Sequence, residues 1–276
     1  MKIFTSDVSK LCIGSDEATR AYLGSNLVYS ATPAHDYSRD YLTFRITGDG
    51  TVYWKCNQPG YGAIYASIQY SKNNDEWITL EMTSQNYSDK SFSVVTGDVV
   101  RFKGLNDAYA TTGNERCCFV DTTATFEVEG NAMSMIYGDN FVGQTSFPAG
   151  SGYNFKHLLS FCTGLTTAEN LILPATTLNT DCYRLMFYGD TALTHGPDLN
   201  VEDIPSGSSC YSMMFRGCTN LNYIKCMATS NNYNEFAFWM YNVQTNSGTF
   251  VKNPNMSSWT SGQNGIPNNW TVVDAS

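Results

Sequence analysis

The sequence predicts a mainly β chain with some α: an N-terminal β meander, a β-sandwich, and a short C-terminal solenoid of stacked repeats. Three observations carry this expectation. Leu11-Cys12-Ile13-Gly14-Ser15-Asp16 is echoed ten residues later by Ala21-Tyr22-Leu23-Gly24-Ser25-Asn26. Residues 40 to 130 alternate short apolar runs with turn formers. Cys182-Tyr183-Arg184-Leu185-Met186-Phe187-Tyr188-Gly189 returns 28 residues later as Cys210-Tyr211-Ser212-Met213-Met214-Phe215-Arg216-Gly217, and Leu193 and Leu221 keep that interval. A period of roughly 20 to 50 residues marks units that cannot bury their apolar face without a neighbour.

Residues 1–30 hold apolar runs broken by Gly-Ser and a turn former, a meander of short strands. The piece is too small to fold alone. It is either an extra sheet edge for the next domain or an arm that docks on another subunit, with Ile13, Gly14, Tyr22, Leu23, Gly24 and Leu27 as its contact residues. After a break at Ala31 to Asp36, the expected sandwich spans residues 36–140. Its strands are Tyr41 to Ile46, Val52 to Lys55, Ile64 to Tyr70, Trp77 to Leu80, Phe92 to Val95, Val99 to Lys103 and Ala124 to Val128. Ile64, Ala66, Ile68 and Tyr70 alternate as one buried face requires. Turn signals stand at Gly48-Asp49-Gly50, Lys72-Asn73-Asn74-Asp75 and Thr96-Gly97-Asp98. About seven strands at this spacing argue for a sandwich.

The repeat domain is placed at 150–276, after the Gly/Ser/Pro-rich stretch 143–152. Phe161-Cys162-Thr163-Gly164-Leu165 reads as a shortened first copy and Phe238-Trp239-Met240-Tyr241 as a degenerate last one. Within a unit, Cys-Tyr-x-x-Met-Phe suits one short helix burying its Tyr, Met and Phe, and Leu171-Ile172-Leu173-Pro174 a short strand ended by proline. Trp259, Gly262, Gly265, Pro267 and Trp270 break the period and are expected to cap the stack.

Of the 276 residues 42% are hydrophobic and only 15% charged, with a net charge of −9. The cationic term that drives binding to nucleic acid or anionic membrane is missing, so neither is an expected partner. The abundant aromatics, 18 Tyr, 15 Phe and 5 Trp, suit stacking and hydrogen bonding as well as core packing. The nine cysteines include no CxxC and no zinc-type Cys/His spacing. Cys182 and Cys210 read as buried thiols packed like small hydrophobes. Adjacent Cys117-Cys118 and the odd total point to a reducing compartment, with a disulfide between neighbouring repeats as the alternative. Met1 to Asp7 show no apolar h-region or cleavage site, and no stretch reaches the length of a membrane span. The expectation is a chain outside the usual secretory route and without membrane insertion.

Leu173-Pro174-Ala175-Thr176-Thr177-Leu178 and Cys210-Tyr211-Ser212-Met213-Met214-Phe215-Arg216-Gly217-Cys218-Thr219-Asn220-Leu221 resemble the BspA-like leucine-rich repeat family, over about the last 120 residues. The middle copy departs from the pattern: Val201-Glu202-Asp203-Ile204-Pro205 replaces the Leu-Pro-Ala phrase, and Asp190 stands where Cys218 does. The paired Gly-Ser phrase, together with Val128-Glu129-Gly130-Asn131-Ala132-Met133-Ser134, resembles virion proteins of tailed phages infecting gut Bacteroidales, including the crAss-like group. These resemblances imply a structural protein of the particle, a head or tail fibre or decoration protein. It would be assembled in the host cytoplasm, anchored by its arm to capsid, portal or tail proteins, and homo-oligomeric. Its distal repeats would face a host-surface glycan or protein. The alternative is a bacterial cell-surface or secreted BspA-like adhesin.

No enzyme is expected. Of the bases His35, His157 and His195, none stands near a nucleophile in a recognisable motif, and His195-Gly196-Pro197 reads as a turn. No cofactor or metal is expected either. Asp198-Leu199-Asn200-Val201-Glu202-Asp203 places oxygens at alternate positions but lacks the glycine and trailing Glu of a calcium loop, so it reads as a solvated loop. Ser71 to Trp77 reads as a hairpin with an aromatic plug. The residues suited to stacking on sugar rings are Tyr233, Phe238, Trp239 and Tyr241, with Asn231, Asn232 and Asn234 beside them to hydrogen-bond hydroxyls; core packing is an equal alternative for Trp239.

Overall fold

The computed structural model describes residues 35–56, 64–86, 88–112, 115–262 and 265–276 in full, and the backbone of four strands within the first 34 residues. The chain is mainly β, in several sheets, and divides into two compact units, Met1–Asp36 and Tyr37–Ser276. In the first unit β1 (Cys12–Ile13) pairs antiparallel with β2 (Asp16–Glu17), and β3 (Arg20–Leu23) with β4 (Asn26–Ser30). The ten-residue echo thus corresponds to two successive hairpins. Ile13 stands in β1, Tyr22 and Leu23 in β3, and Leu27 in β4. Their side chains, and Gly14 and Gly24 altogether, lie outside the described residues.

The second unit opens with β5 (Leu42–Gly48), β6 (Gly50–Cys56), β7 (Ile68–Lys72), β8 (Ile78–Leu80), β9 (Lys90–Val94), β10 (Val99–Gly104), β11 (Cys117–Phe119) and β12 (Thr125–Asn131). One sheet has the order β12-β5-β10-β7-β8 and a second the order β11-β6-β9. They pack through aromatic side chains: Phe119 meets Phe44 at 4.8 Å and Phe102 at 4.7 Å between ring centroids, and its neighbour within the second sheet, Trp54, lies 4.8 Å from it. Each is fully buried, a contribution of about 1.5–3 kcal/mol per side chain. Ala66, Ile68 and Tyr70 are buried on one face, as their alternation requires.

Two of the three turn signals do something other than close a hairpin. Gly48-Asp49-Gly50 and Thr96-Gly97-Asp98 each carry the chain from one sheet to the other. They are tied together by the Asp49 carboxylate, which accepts from the Thr96 backbone N–H (2.8 Å) and hydroxyl (2.9 Å). Only Lys72 to Asp75 makes a hairpin, with Asn73 and Asn74 at φ 54° and 68°, the mirror-image turn that suits strand twist. Trp77 plugs it against Tyr41, with Lys103 Nζ 4.3 Å above its ring.

Cys182 and Cys210 are buried thiols, and the alternative of a disulfide between them is not found. β11, too short to be read from sequence, sets Cys117 directly opposite Cys56 of β6, and the two form a disulfide. The bond lies within the paired sheets rather than between repeats. Cys118, Cys162, Cys182, Cys210, Cys218 and Cys226 are free and buried.

After the single helical turn α1 (Ser134–Tyr137), β13 (Leu165–Ile172) pairs parallel with β12, so the sheet runs on into the repeats. Single bridges at Thr167, His195 and Tyr223 continue it to β14 (Tyr223–Cys226), which pairs parallel with β15 (Gly248–Lys252), and that with β16 (Trp270–Asp274). The expected cap therefore supplies one further strand. Trp270 packs against Gly248, where an added Cβ would come within 2.4 Å of the indole.

The expected helix in each repeat is replaced by a run of turns. Burial is as the spacing demands: Tyr183, Met186, Phe187, Tyr211, Met214 and Phe215 are all inside. The backbone differs because every fourth residue has positive φ, Asp181, Leu185 and Gly189 in one copy and Ser209, Met213 and Gly217 in the next. That reversal sends alternate N–H groups out of the unit. Tyr183, Leu185, Phe187 and Gly189 donate to the carbonyls of Cys210, Ser212, Met214 and Arg216, while Met186, Tyr188 and Asp190 close local turns three residues back. Consecutive i to i−4 bonds never form, so no helix does. Tyr153, His157 and Phe161 repeat the reversal, which makes residues 153–162 a full first copy. A left-handed residue other than glycine costs roughly 1 kcal/mol or more, offset here by the bond each rung makes to the next.

Two glycines show how space and φ combine. Gly189 and Gly217 both sit near φ +80°, yet a Cβ on Gly189 would lie 2.7 Å from the Phe161 ring, while one on Gly217 meets nothing closer than 3.5 Å. Gly217→Ala is expected to cost about 1 kcal/mol and Gly189→Ala more, measured by chemical denaturation.

Candidate surface site on the repeats

The last copy follows its predecessor after 25 residues instead of 28. Tyr211, Met213, Phe215 and Gly217 donate to the carbonyls of Glu235, Ala237, Trp239 and Tyr241, and Phe238 and Asn242 carry the positive φ of Met213 and Gly217. This register puts Trp239 on the inward column of Met186 and Met214, and Tyr241 on the outward column of Tyr188 and Arg216.

The four expected sugar-stacking residues therefore separate. Trp239 is fully buried, stacked at 5.5 Å on Trp259 and edge-on to Phe215, so of its two expected roles it takes the core one and not the contact one. Phe238 and Tyr241 remain partly accessible, and Tyr233 is 58% exposed. These three touch one another: Tyr233 to Phe238 at 6.2 Å and Phe238 to Tyr241 at 5.8 Å, both edge to face. Asn231 is tied to Thr260 through Nδ2 at 3.3 Å, and Asn232 and Asn234 are exposed.

Arg216, unremarked in the sequence, sits at the centre of this surface. Its guanidinium carbon lies 5.1 Å from the Tyr241 ring, 5.9 Å from Phe238 and 5.7 Å from Tyr188 one rung earlier. Phe161, 38% exposed, extends the row against Tyr188 at 4.9 Å. The result is an aromatic strip crossing four copies with one cation inside it. A usable signal was the column itself, which reads Tyr, Arg, Tyr at positions 188, 216 and 241.

The histidines and acids take other roles. His157 is buried with Nδ1 unpaired, and burial plus the charges of Arg116, Lys156 and Arg184 push it down to about 3, so it is neutral. His195 stacks on Tyr223 at 5.4 Å, with Nδ1 3.2 Å from the Thr194 hydroxyl. Asp198 pairs with Lys225 at 2.6 Å, while Glu202 and Asp203 are exposed. Among the described residues no three His, Cys, Asp or Glu side chains cluster as metal ligands would, and no helix is long and apolar enough to cross a membrane.

Asp190 is the anomaly. It replaces the cysteine of the neighbouring copies, is fully buried, and accepts from the Cys162 backbone N–H at 2.7 Å through Oδ1, while Oδ2 has no partner. Burial raises its carboxyl well above the usual range, which favours the protonated form. In the same stack Cys218 donates its thiol to the Phe187 carbonyl at 3.0 Å and Cys162 to that of Phe119 at 2.8 Å. Burial likewise pushes the Cys182 thiol up, against its hydrogen-bonded neighbour Cys210. Comparison with known protein families, curated proteins and solved structures gives no match to this chain.

Proposed function

We propose that this protein is a non-enzymatic structural component of a tailed-phage virion, a head or tail fibre or decoration protein. Its first unit anchors it to capsid, portal or tail proteins, it associates as a homo-oligomer, and its repeats face the host surface. In this reading residues 36–140 form a β-sandwich and residues 150–276 a short leucine-rich-repeat solenoid. The observation that carries the proposal is the division of labour in the chain: a small separate unit of two hairpins, and a large unit whose stacked rungs hold a row of aromatic rings on the surface. Stacked rungs of this kind present regular surfaces to partners.

Mass spectrometry of purified particles, alongside assembly with residues 1–30 deleted, tests it. The intact protein is expected in fixed stoichiometry and the truncated one absent. Absence of the intact protein from particles would sink the proposal.

A second reading, a bacterial cell-surface or secreted adhesin with the same repeats, is favoured by one feature. The Cys56–Cys117 disulfide suits a chain that meets an oxidising compartment. Recovery of the protein on intact bacterial cells, and not in particles, would select it.

A further inference from the structure

We infer that Arg216 and the rings beside it form a subsite for the carboxylate of an acidic saccharide, a uronate-bearing glycan rather than a neutral one. The inference rests on the proposed role of the repeats at the host surface. Arg216 has no carboxylate partner among the described residues; its guanidinium contacts the Met213 sulfur at 3.8 Å. Its column carries Tyr188 and Tyr241 on the surface and the buried Ser160 in the first copy, and no acid. Asp190, in the preceding copy, is fully buried and turned to the Cys162 backbone N–H. A surface arginine in a chain of net charge −9 ordinarily finds an acid, and this one is enclosed by three aromatic rings instead.

The arrangement matches a uronate in two ways. Flat ring faces accept the apolar side of a sugar, and the guanidinium fork takes a carboxylate through two parallel hydrogen bonds. The order ring, cation, ring along Tyr188, Arg216 and Tyr241 sets a carboxylate site between two stacking sites, as a polymer of sugar acids would require. The overall negative charge opposes long-range attraction of a polyanion but is screened beyond about 8 Å at physiological salt, so recognition depends on contact.

Titration calorimetry of the full chain with an oligogalacturonate, with the same oligosaccharide after reduction of its carboxyls to alcohols, and with an oligoglutamate peptide tests the subsite. The oligogalacturonate is expected to bind, and the reduced form on the order of ten- to a hundred-fold more weakly. Arg216→Gln is expected to lose as much with its melting temperature unchanged, and Arg216→Lys to fall between. Equal binding of charged and reduced sugars, equal binding of the peptide, no loss in Arg216→Gln, or no binding at all would each overturn it. Particle mass spectrometry scores the virion proposal separately. A virion protein that ignores uronates keeps that proposal and loses this one; a uronate binder absent from particles does the reverse.

Discussion

Trp239→Ala is expected to lower the stability of the Tyr37–Ser276 unit by about 3–5 kcal/mol, the range for emptying a large aromatic site in a packed interior. The indole is fully enclosed and touches Phe215, Phe236, Phe250 and Trp259, so its removal opens a cavity bounded by four rings that the backbone ladder holds apart. Tyr241→Ala, two residues away on the outward column, is expected to change stability by less than about 1 kcal/mol. Chemical denaturation of both variants beside wild type checks the register. A Trp239→Ala protein as stable as wild type would mean the ring is not in the core.

Asp190→Cys is expected to stabilise the protein by about 1–3 kcal/mol at neutral pH, the cost of a buried polar group that is only partly satisfied. The variant installs the residue that both neighbouring copies carry, and Cys162 N–H keeps its bond to the Leu159 carbonyl at 3.3 Å. The pH dependence gives the sign. The folded-state carboxyl is raised above its unfolded value near 3.9, so between those values the folded protein binds a proton that the unfolded chain releases. This group's contribution is fully present below the unfolded value and is lost as pH rises towards the folded one, by up to ~1.4 kcal/mol per pH unit. Denaturation from pH 4 to pH 8 should therefore show the variant's advantage growing with pH. A constant difference would mean Asp190 is ionised when folded.

Much of the fold was legible where side-chain alternation reports burial, as at Ala66, Ile68 and Tyr70, and where a phrase repeats at fixed spacing. β11 was not, because Cys117-Cys118-Phe119 is too short to show a period, and with it went the partner of Cys56. The turns in the repeats were illegible for a different reason. Buried Tyr183, Met186 and Phe187 fit a helix or a run of turns equally, and the sign of φ leaves no mark on residue choice when Leu185 and Met213 occupy left-handed positions. Of the aromatic strip, Tyr233, Phe238 and Tyr241 were singled out in the sequence by their place in the degenerate last copy. Trp239 stayed open between contact and core because the shortened 25-residue interval hides which of two adjacent aromatics faces inward. Arg216 was missed because a lone charge in an apolar phrase reads as ordinary surface.

The inter-rung hydrogen bonds of the turn columns have a uniform direction. Tyr183, Leu185 and Phe187 donate forward to the following copy, and Tyr211, Met213 and Phe215 do the same in turn. In the flanking parallel strands such bonds point both ways and their dipoles largely cancel, but here several peptide units per rung are aligned and add, as they do along a helix. The stack is electrically polar, with its positive pole at the final copy. The region bearing Tyr233, Phe238 and Tyr241 thus stands at the positive pole of these turn columns, where unpaired N–H ends favour negative charge.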